Sequence, residues 1–139
     1  MSEKQPYKEQ SLLTDYAAET KGKTGIKRII NASRFSIDGF KAAYRNESAF
    51  RQLVVINTIL MIALIFCPFT IVIKMLLLFA SIFSLVVELF NTGLEAAIDF
   101  TSMEKHPLAK IAKDVGSAAQ FLALLLLFML WMLAIFGTI

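Results

Sequence analysis

The sequence predicts an all-α membrane protein, an N-terminal amphipathic surface helix followed by three transmembrane helices. The chain is 57% hydrophobic and 18% charged over 139 residues, with a mean hydropathy of +0.65, too apolar for an ordinary soluble domain of this length. Its charges are segregated, so that Lys74 is the single charged residue between Leu53 and Val87. Three apolar stretches remain, each long enough at ~1.5 Å per residue to cross a hydrocarbon core of ~30 Å.

Residues 1–23 are predicted to be a flexible arm ahead of one membrane domain, 24–139. The arm is polar, lacks sustained periodicity and runs into Gly22 and Gly25. It has no apolar h-region, so the membrane helices themselves are expected to direct insertion. From Gly25 the pattern changes. Ile26, Ile29, Ile30, Ser33, Ile37, Phe40 and Tyr44 recur at spacings of three and four, while Lys27, Arg28, Arg34, Asp38, Lys41 and Arg45 face elsewhere. An amphipathic helix over about 25–45 follows, with a basic polar face suited to the headgroup layer.

The spans are predicted over about 48–67, 70–98 and 115–137. Pro68 stops the first; the second has surplus length and is expected to project into the interface; the third carries no charge. The loop after Pro68 is short and holds one cation, whereas the N-terminal region and the loop Asp99–Asp114 hold the remaining Lys and Arg. The N-terminus and the second loop are therefore expected to be cytoplasmic. Cys67 is the single cysteine, which excludes an internal disulfide and a cysteine-rich metal site, and it is read as packing.

Glu88, Asn91, Glu95 and Asp99 lie at i, i+3, i+7 and i+11 of the second span and so share one helical face. Glu88 sits about 16 Å along the helix from Asp99, where an unpaired carboxylate costs several kcal/mol or takes up a proton. Such a stripe could be an interhelical hydrogen-bond seam or the frayed end of the helix; for Asp99 the frayed end suffices. Intramembrane carboxylates are expensive, which favours function for Glu88 and Glu95. Glu47 precedes the first span, and Lys113 and Asp114 open the third, so helix ends bring carboxylates and a lysine to one interface. Carboxylates with Mg²⁺ and a lysine for phosphate suit phosphoryl transfer; a cation pathway would use acidic residues as well.

No GxxxxGK[ST] or GxGxxG stretch occurs, so a nucleotide site would need another scaffold. His106 is the sole histidine, which leaves no Ser/His/Asp or zinc arrangement.

Three stretches together resemble one family. VELFNTGLEAAID (Val87 to Asp99) is similar to the E-x-x-N-[ST]-x-[IL]-E-x-x-x-D signature of the prokaryotic diacylglycerol kinases, and HPLAKIAKDVGSAA (His106 to Ala119) to its A-K-D-x-[GA]-[SA]-A continuation. TGIKRIINASRFSIDGFKAAYRNESAFRQ (Thr24 to Gln52) resembles the family's surface helix and the N-E-x-x-F-R start of its first span. The likeness covers about residues 24–137.

The resemblance implies a homotrimeric helical bundle with shared active sites in a bacterial cytoplasmic membrane, using ATP and Mg²⁺ to convert diacylglycerol to phosphatidic acid. No nucleic acid is expected as a partner. By the same resemblance Glu88 takes the proton from the lipid hydroxyl, Glu47 and Glu95 hold the divalent metal on the ATP phosphates, and Asn91 orients the site. Lys113 meets phosphate with Asp114 beside it, and Glu104, Lys105 and His106 contact the nucleotide, with Phe35 on the same side. Arg28 matches a position near lipid and nucleotide; Ser33, Ser36, Ala49, Gln52 and Ser117 match lipid positions.

Leu53 stands where the family often has Glu, and Phe35 and Ile37 replace aromatic residues common there. HPLAKIAKD is shared with an undecaprenol kinase branch, whereas NESAFRQ and GSAA resemble the diacylglycerol enzymes, which ranks diacylglycerol first and undecaprenol second. A cation channel or a non-catalytic subunit of a membrane complex is the remaining alternative. Carboxylates clustered toward one face of the membrane argue against it.

Overall fold

A computed structural model describes residues 25–101 and 106–137. It is all α, with helices α1 (Ile26–Asn46), α2 (Ser48–Phe66), α3 (Ile71–Thr101) and α4 (Pro107–Phe136). The arm 1–23 and the loop residues Glu104 and Lys105 lie outside the described residues. The chain divides into two compact units, one ending at Gly39 and one beginning at Phe40.

In the first unit, Gly25 takes a φ of 74°, a left-handed turn that favours glycine. Its carbonyl accepts from Arg28 N at 3.1 Å as α1 begins. Ser33 and Ser36 turn their hydroxyls back onto Ile29 O and Ala32 O at 3.0 and 2.9 Å, which satisfies them within the helix. Ile26, Ile29, Ile30 and Ile37 are exposed, as the expected amphipathic surface helix requires.

The second unit opens with the end of α1. Glu47 breaks the helix in an extended conformation, φ −109° and ψ 116°, and becomes the N-cap residue of α2. Arg51 Nη1 donates to Tyr44 O and Arg45 O, each at 3.0 Å, satisfying carbonyls that a helix end leaves open. Phe40 and Phe50 pack across the same corner with ring centroids 6.4 Å apart.

Pro68 ends α2, as expected, because it can neither donate the next backbone bond nor let Cys67 stay helical; Cys67 is extended, ψ 136°. Helices α2, α3 and α4 are long and apolar enough to cross a membrane. The predicted spans 70–98 and 115–137 are the apolar parts of longer helices. The 31 residues of α3 reach about 46 Å, well beyond the hydrocarbon core. Charge does not end a helix, and α4 starts as early as Pro107 because proline suits a first turn and His106 caps it.

Both α2 and α4 pack on α3. At the end bearing the α2–α3 turn, Leu64, Leu77, Ala80, Leu127, Trp131 and Ala134 form the buried core, with Phe69 edge-on to Trp131 at 6.3 Å. Midway, Asn57 Nδ2 donates to Ser84 Oγ at 3.2 Å and to Leu53 O at 3.0 Å, a polar tie between α2 and α3. The outer faces carry exposed apolar side chains such as Ile59, Phe79, Phe90 and Phe128, which in a bilayer meet solvent of their own polarity.

Candidate active site

The far end of the same three helices is polar. A cavity of 360 Å³ opens there between α2, α3 and α4 and is lined by Glu47, Ala49, Glu88, Asn91, Thr92, Glu95, Ser117, Gln120, Phe121 and Leu124. Spacing alone explains the α3 contribution, since 88, 91, 92 and 95 fall on one helical face. Glu88 is 4% exposed, and Glu47 and Glu95 are near enough to act on it electrostatically.

Each neighbour is positioned by local structure. Glu47 occupies the N-cap of α2 but makes no side-chain capping bond, which leaves its carboxylate available to the cavity. Asn91 Nδ2 donates a long bond, 3.4 Å, to Glu95 Oε1, while Asn91 Oδ1 is buried with no partner among the described residues. Gly116 lets α4 approach this amide. A Cβ there would collide with Asn91 Oδ1 and stand 3.3 Å from Asn91 Cγ and 3.4 Å from Leu94 Cδ2.

Of the residues singled out by sequence, the cavity brings together Glu47, Ala49, Glu88, Asn91, Glu95 and Ser117. Lys113 and Asp114 sit on the first turns of α4 outside the lining. Lys113 Nζ donates to Asp99 Oδ1 at 2.6 Å, and Lys110 pairs with Asp114. His106 Nδ1 accepts from Leu108 N at 3.2 Å, so the ring caps α4. Gln52 is exposed on α2, and Arg28, Ser33, Phe35 and Ser36 are exposed in the first unit. Glu104 and Lys105 fall outside the described residues.

Sequence reading missed Thr92 and Gln120. Gln120 had a signal: it is the one amide on α4, three residues beyond Ser117, in a span otherwise judged by its lack of charge. A second hollow of 580 Å³, lined by Phe40, Tyr44, Phe50, Val54 and Leu85 with Lys41 and Arg45, is apolar and contains no carboxylate. Of the two, the first cavity is the one lined by carboxylates, the side chains that acid–base and metal chemistry require.

A sequence model of the family described as prokaryotic diacylglycerol kinase matches residues 34–135. The chain belongs to this family. A diacylglycerol kinase of Pseudomonas aeruginosa is 44% identical over 117 residues, covering 84% of this chain and 95% of the relative. One from Helicobacter pylori strain 26695 is 40% identical over 86% of this chain and 92% of its own length. One from Escherichia coli K12 is 34% identical over 78% and 88% respectively. The matched region contains all the cavity-lining residues, from Glu47 to Leu124.

The donor set can be tested against a divalent ion. Among the described residues no group of three or more His, Cys, Asp or Glu could hold one. Mg²⁺ needs fewer protein ligands, since it keeps water and is held by one or two carboxylates together with substrate phosphates. Glu47 and Glu95 fit that pattern.

Proposed function

We propose that this chain phosphorylates diacylglycerol to phosphatidic acid with ATP and Mg²⁺ at the cytoplasmic face of a bacterial inner membrane. Diacylglycerol kinase activity rests on the family and on the relatives that bear that name. One observation carries the finer reading, namely that a carboxylate buried in a membrane helix, Glu88, shares a cavity with two more, Glu47 and Glu95.

In this reading the lipid hydroxyl enters the cavity and Glu88 accepts its proton as general base. The hydroxyl oxygen forms a bond to the γ-phosphorus, the bond to the β-phosphate oxygen breaks, and ADP leaves. Glu47 and Glu95 would hold the divalent ion, whose charge offsets that of the phosphates. Asn91, braced by Glu95 and seated against Gly116, keeps the carboxylates in register. Lys113, which donates to Asp99 Oδ1 from the first turns of α4, would meet phosphate.

The proposal includes a homotrimer with sites shared between subunits. Its support is that α2 and α4 flank α3 and leave the cavity open, with broad apolar faces uncovered. An inactive Glu95 variant, mixed and reconstituted with a chain inactivated at a residue outside this cavity, is expected to recover part of the activity if one site draws on two chains.

The direct experiment supplies purified protein in mixed micelles with labelled ATP and diacylglycerol. Labelled phosphatidic acid is expected, with no product when Mg²⁺ is chelated. Activity with a polyprenol alone would move the assignment to undecaprenol, and ion flux without lipid-dependent ATP consumption would remove the kinase reading.

A further inference from the structure

One buried polar side chain in the cavity has no part in the chemistry just described. Gln120 is 9% exposed, lines the cavity with Glu88 and Ser117, and its Oε1 has no hydrogen-bond partner among the described residues. A primary amide carries two donors and two acceptor positions. An amide oxygen held out of water and unpaired costs several kcal/mol. Packing alone would be served better by leucine, the residue found at 122 and from 124 to 127 of the same helix. A glutamine here calls for a polar group that arrives with the ligand.

Its position indicates which group. Ser117, Gln120, Phe121 and Leu124 follow one another at i, i+3, i+4 and i+7, on one face of α4, and in that order the lining passes from polar to apolar. A lipid alcohol with its hydroxyl at Glu88 and its chains toward Phe121 and Leu124 has its linkage group in between, opposite Gln120. In a diacylglycerol that linkage is an ester, whose carbonyl oxygen accepts a hydrogen bond and cannot donate one. The three carboxylates nearby are acceptors as well, so the amide is one of the few groups in the cavity with an N–H to give. A half-turn of the amide exchanges its two ends without changing its shape, so either end can meet the cavity.

We propose that Gln120 Nε2 donates a hydrogen bond to the ester carbonyl closest to the reacting hydroxyl, and that Gln120 thereby distinguishes ester-linked glycerolipid from lipid alcohols that lack the carbonyl. The inference rests on the kinase reading of the cavity. It adds a specificity residue to that reading, with an effect separate from proton transfer at Glu88.

The test compares a diacylglycerol with the dialkylglycerol ether of the same chain lengths, using the full chain in mixed micelles with ATP and Mg²⁺. The unaltered protein is expected to favour the ester about two- to tenfold in kcat/KM, the value of a single hydrogen bond. Gln120→Met keeps the length of the side chain and removes its hydrogen bonding. It is expected to lower kcat/KM for the ester by that factor, mainly through KM, and to leave the ether unchanged, so that the preference disappears. Gln120→Leu is a second variant should the first not fold, with helical content by circular dichroism as the control. A preference unchanged in both variants, an equal loss on both lipids, or no preference in the unaltered protein would overturn the Gln120 assignment while leaving the kinase reading standing. Phosphorylation of neither lipid by the unaltered protein would overturn the kinase reading and the Gln120 assignment with it.

Discussion

The two ends of the three-helix unit solve different problems with the same helices. At one end Leu64, Leu77, Ala80, Leu127, Trp131 and Ala134 close around one another. At the other, α2, α3 and α4 surround a 360 Å³ cavity with three carboxylates on its wall and the amide oxygens of Asn91 and Gln120 unpartnered among the described residues. Lipid tails are as apolar as leucine, so the closed end gains little from the hydrophobic effect and depends on close packing. The open end gives up that packing and retains polar groups that a membrane helix can hold only at a cost. Stability and chemistry are therefore expected to separate along the helix axis, and variants at either end probe that separation.

The largest effect is expected at Glu88. Glu88→Gln removes the proposed base and adds no bulk, and it is expected to lower kcat by about 10²–10⁴-fold, the usual contribution of general base catalysis. Helical content and thermal midpoint in detergent should stay close to those of the unaltered chain, or rise, because an amide is cheaper to bury than a carboxylate. Turnover retained in phosphatidic acid assays would take the base role away from Glu88.

Trp131→Ala makes the opposite expectation. Truncating a buried tryptophan costs about 3–5 kcal/mol in water-soluble cores. Here the transfer part of that cost is small, and lost contacts with Phe69 and its neighbours dominate, so about 2–3 kcal/mol is expected. Unfolding followed by circular dichroism in detergent should show it, while kcat per folded molecule stays within about twofold of the parent. A large loss of kcat in the folded protein would mean that the two ends are coupled.

Gly116→Ala sharpens the boundary at the open end. The added Cβ collides with the Asn91 amide, which must then move and release its hold on Glu95. Misplacement of catalytic groups by about an ångström costs on the order of 10²-fold, and a loss of about 10–100-fold in kcat is expected with little change in the thermal midpoint. Glu95→Gln should raise the Mg²⁺ concentration needed for half-maximal rate by about tenfold or more, since it removes charge from a proposed metal ligand.

What could be read from sequence was what depends on a single helix. Periodicity and hydropathy are properties of one element, so the surface helix and three spans were visible, as was the shared face of Glu88, Asn91 and Glu95. Glu47 was visible because a carboxylate at the start of an apolar run stands out. Gly116 was not, because its importance lies in how closely α4 approaches α3, and no spacing within α4 encodes that approach; Gln120 was marked only by being the one amide of its helix. His106 shows the same limit from the other side. Its place before Pro107 marks a helix start, and the structure uses its Nδ1 as a cap, whereas the contact with nucleotide inferred for it depends on a ligand the helix alone does not define.

The smallest effect is expected between the two ends, at the tie from Asn57 to Ser84. Ser84→Ala removes one acceptor, yet Asn57 Nδ2 keeps its bond to Leu53 O at 3.0 Å, and the one further bond lost is that which the Ser84 hydroxyl donates to Ser81 O. Asn57→Leu removes the donor together with an Oδ1 that is buried and unpaired among the described residues, so the gain from deleting that oxygen offsets the loss of the bond. Interhelical hydrogen bonds in bilayers average about 0.6 kcal/mol, and a double-mutant cycle on thermal or denaturant unfolding should return a coupling of that order. A coupling near 2 kcal/mol, or a shift in Mg²⁺ dependence in Asn57→Leu, would mean that this tie sets the register of α2 on α3 and so carries Glu47 to its place opposite Glu88.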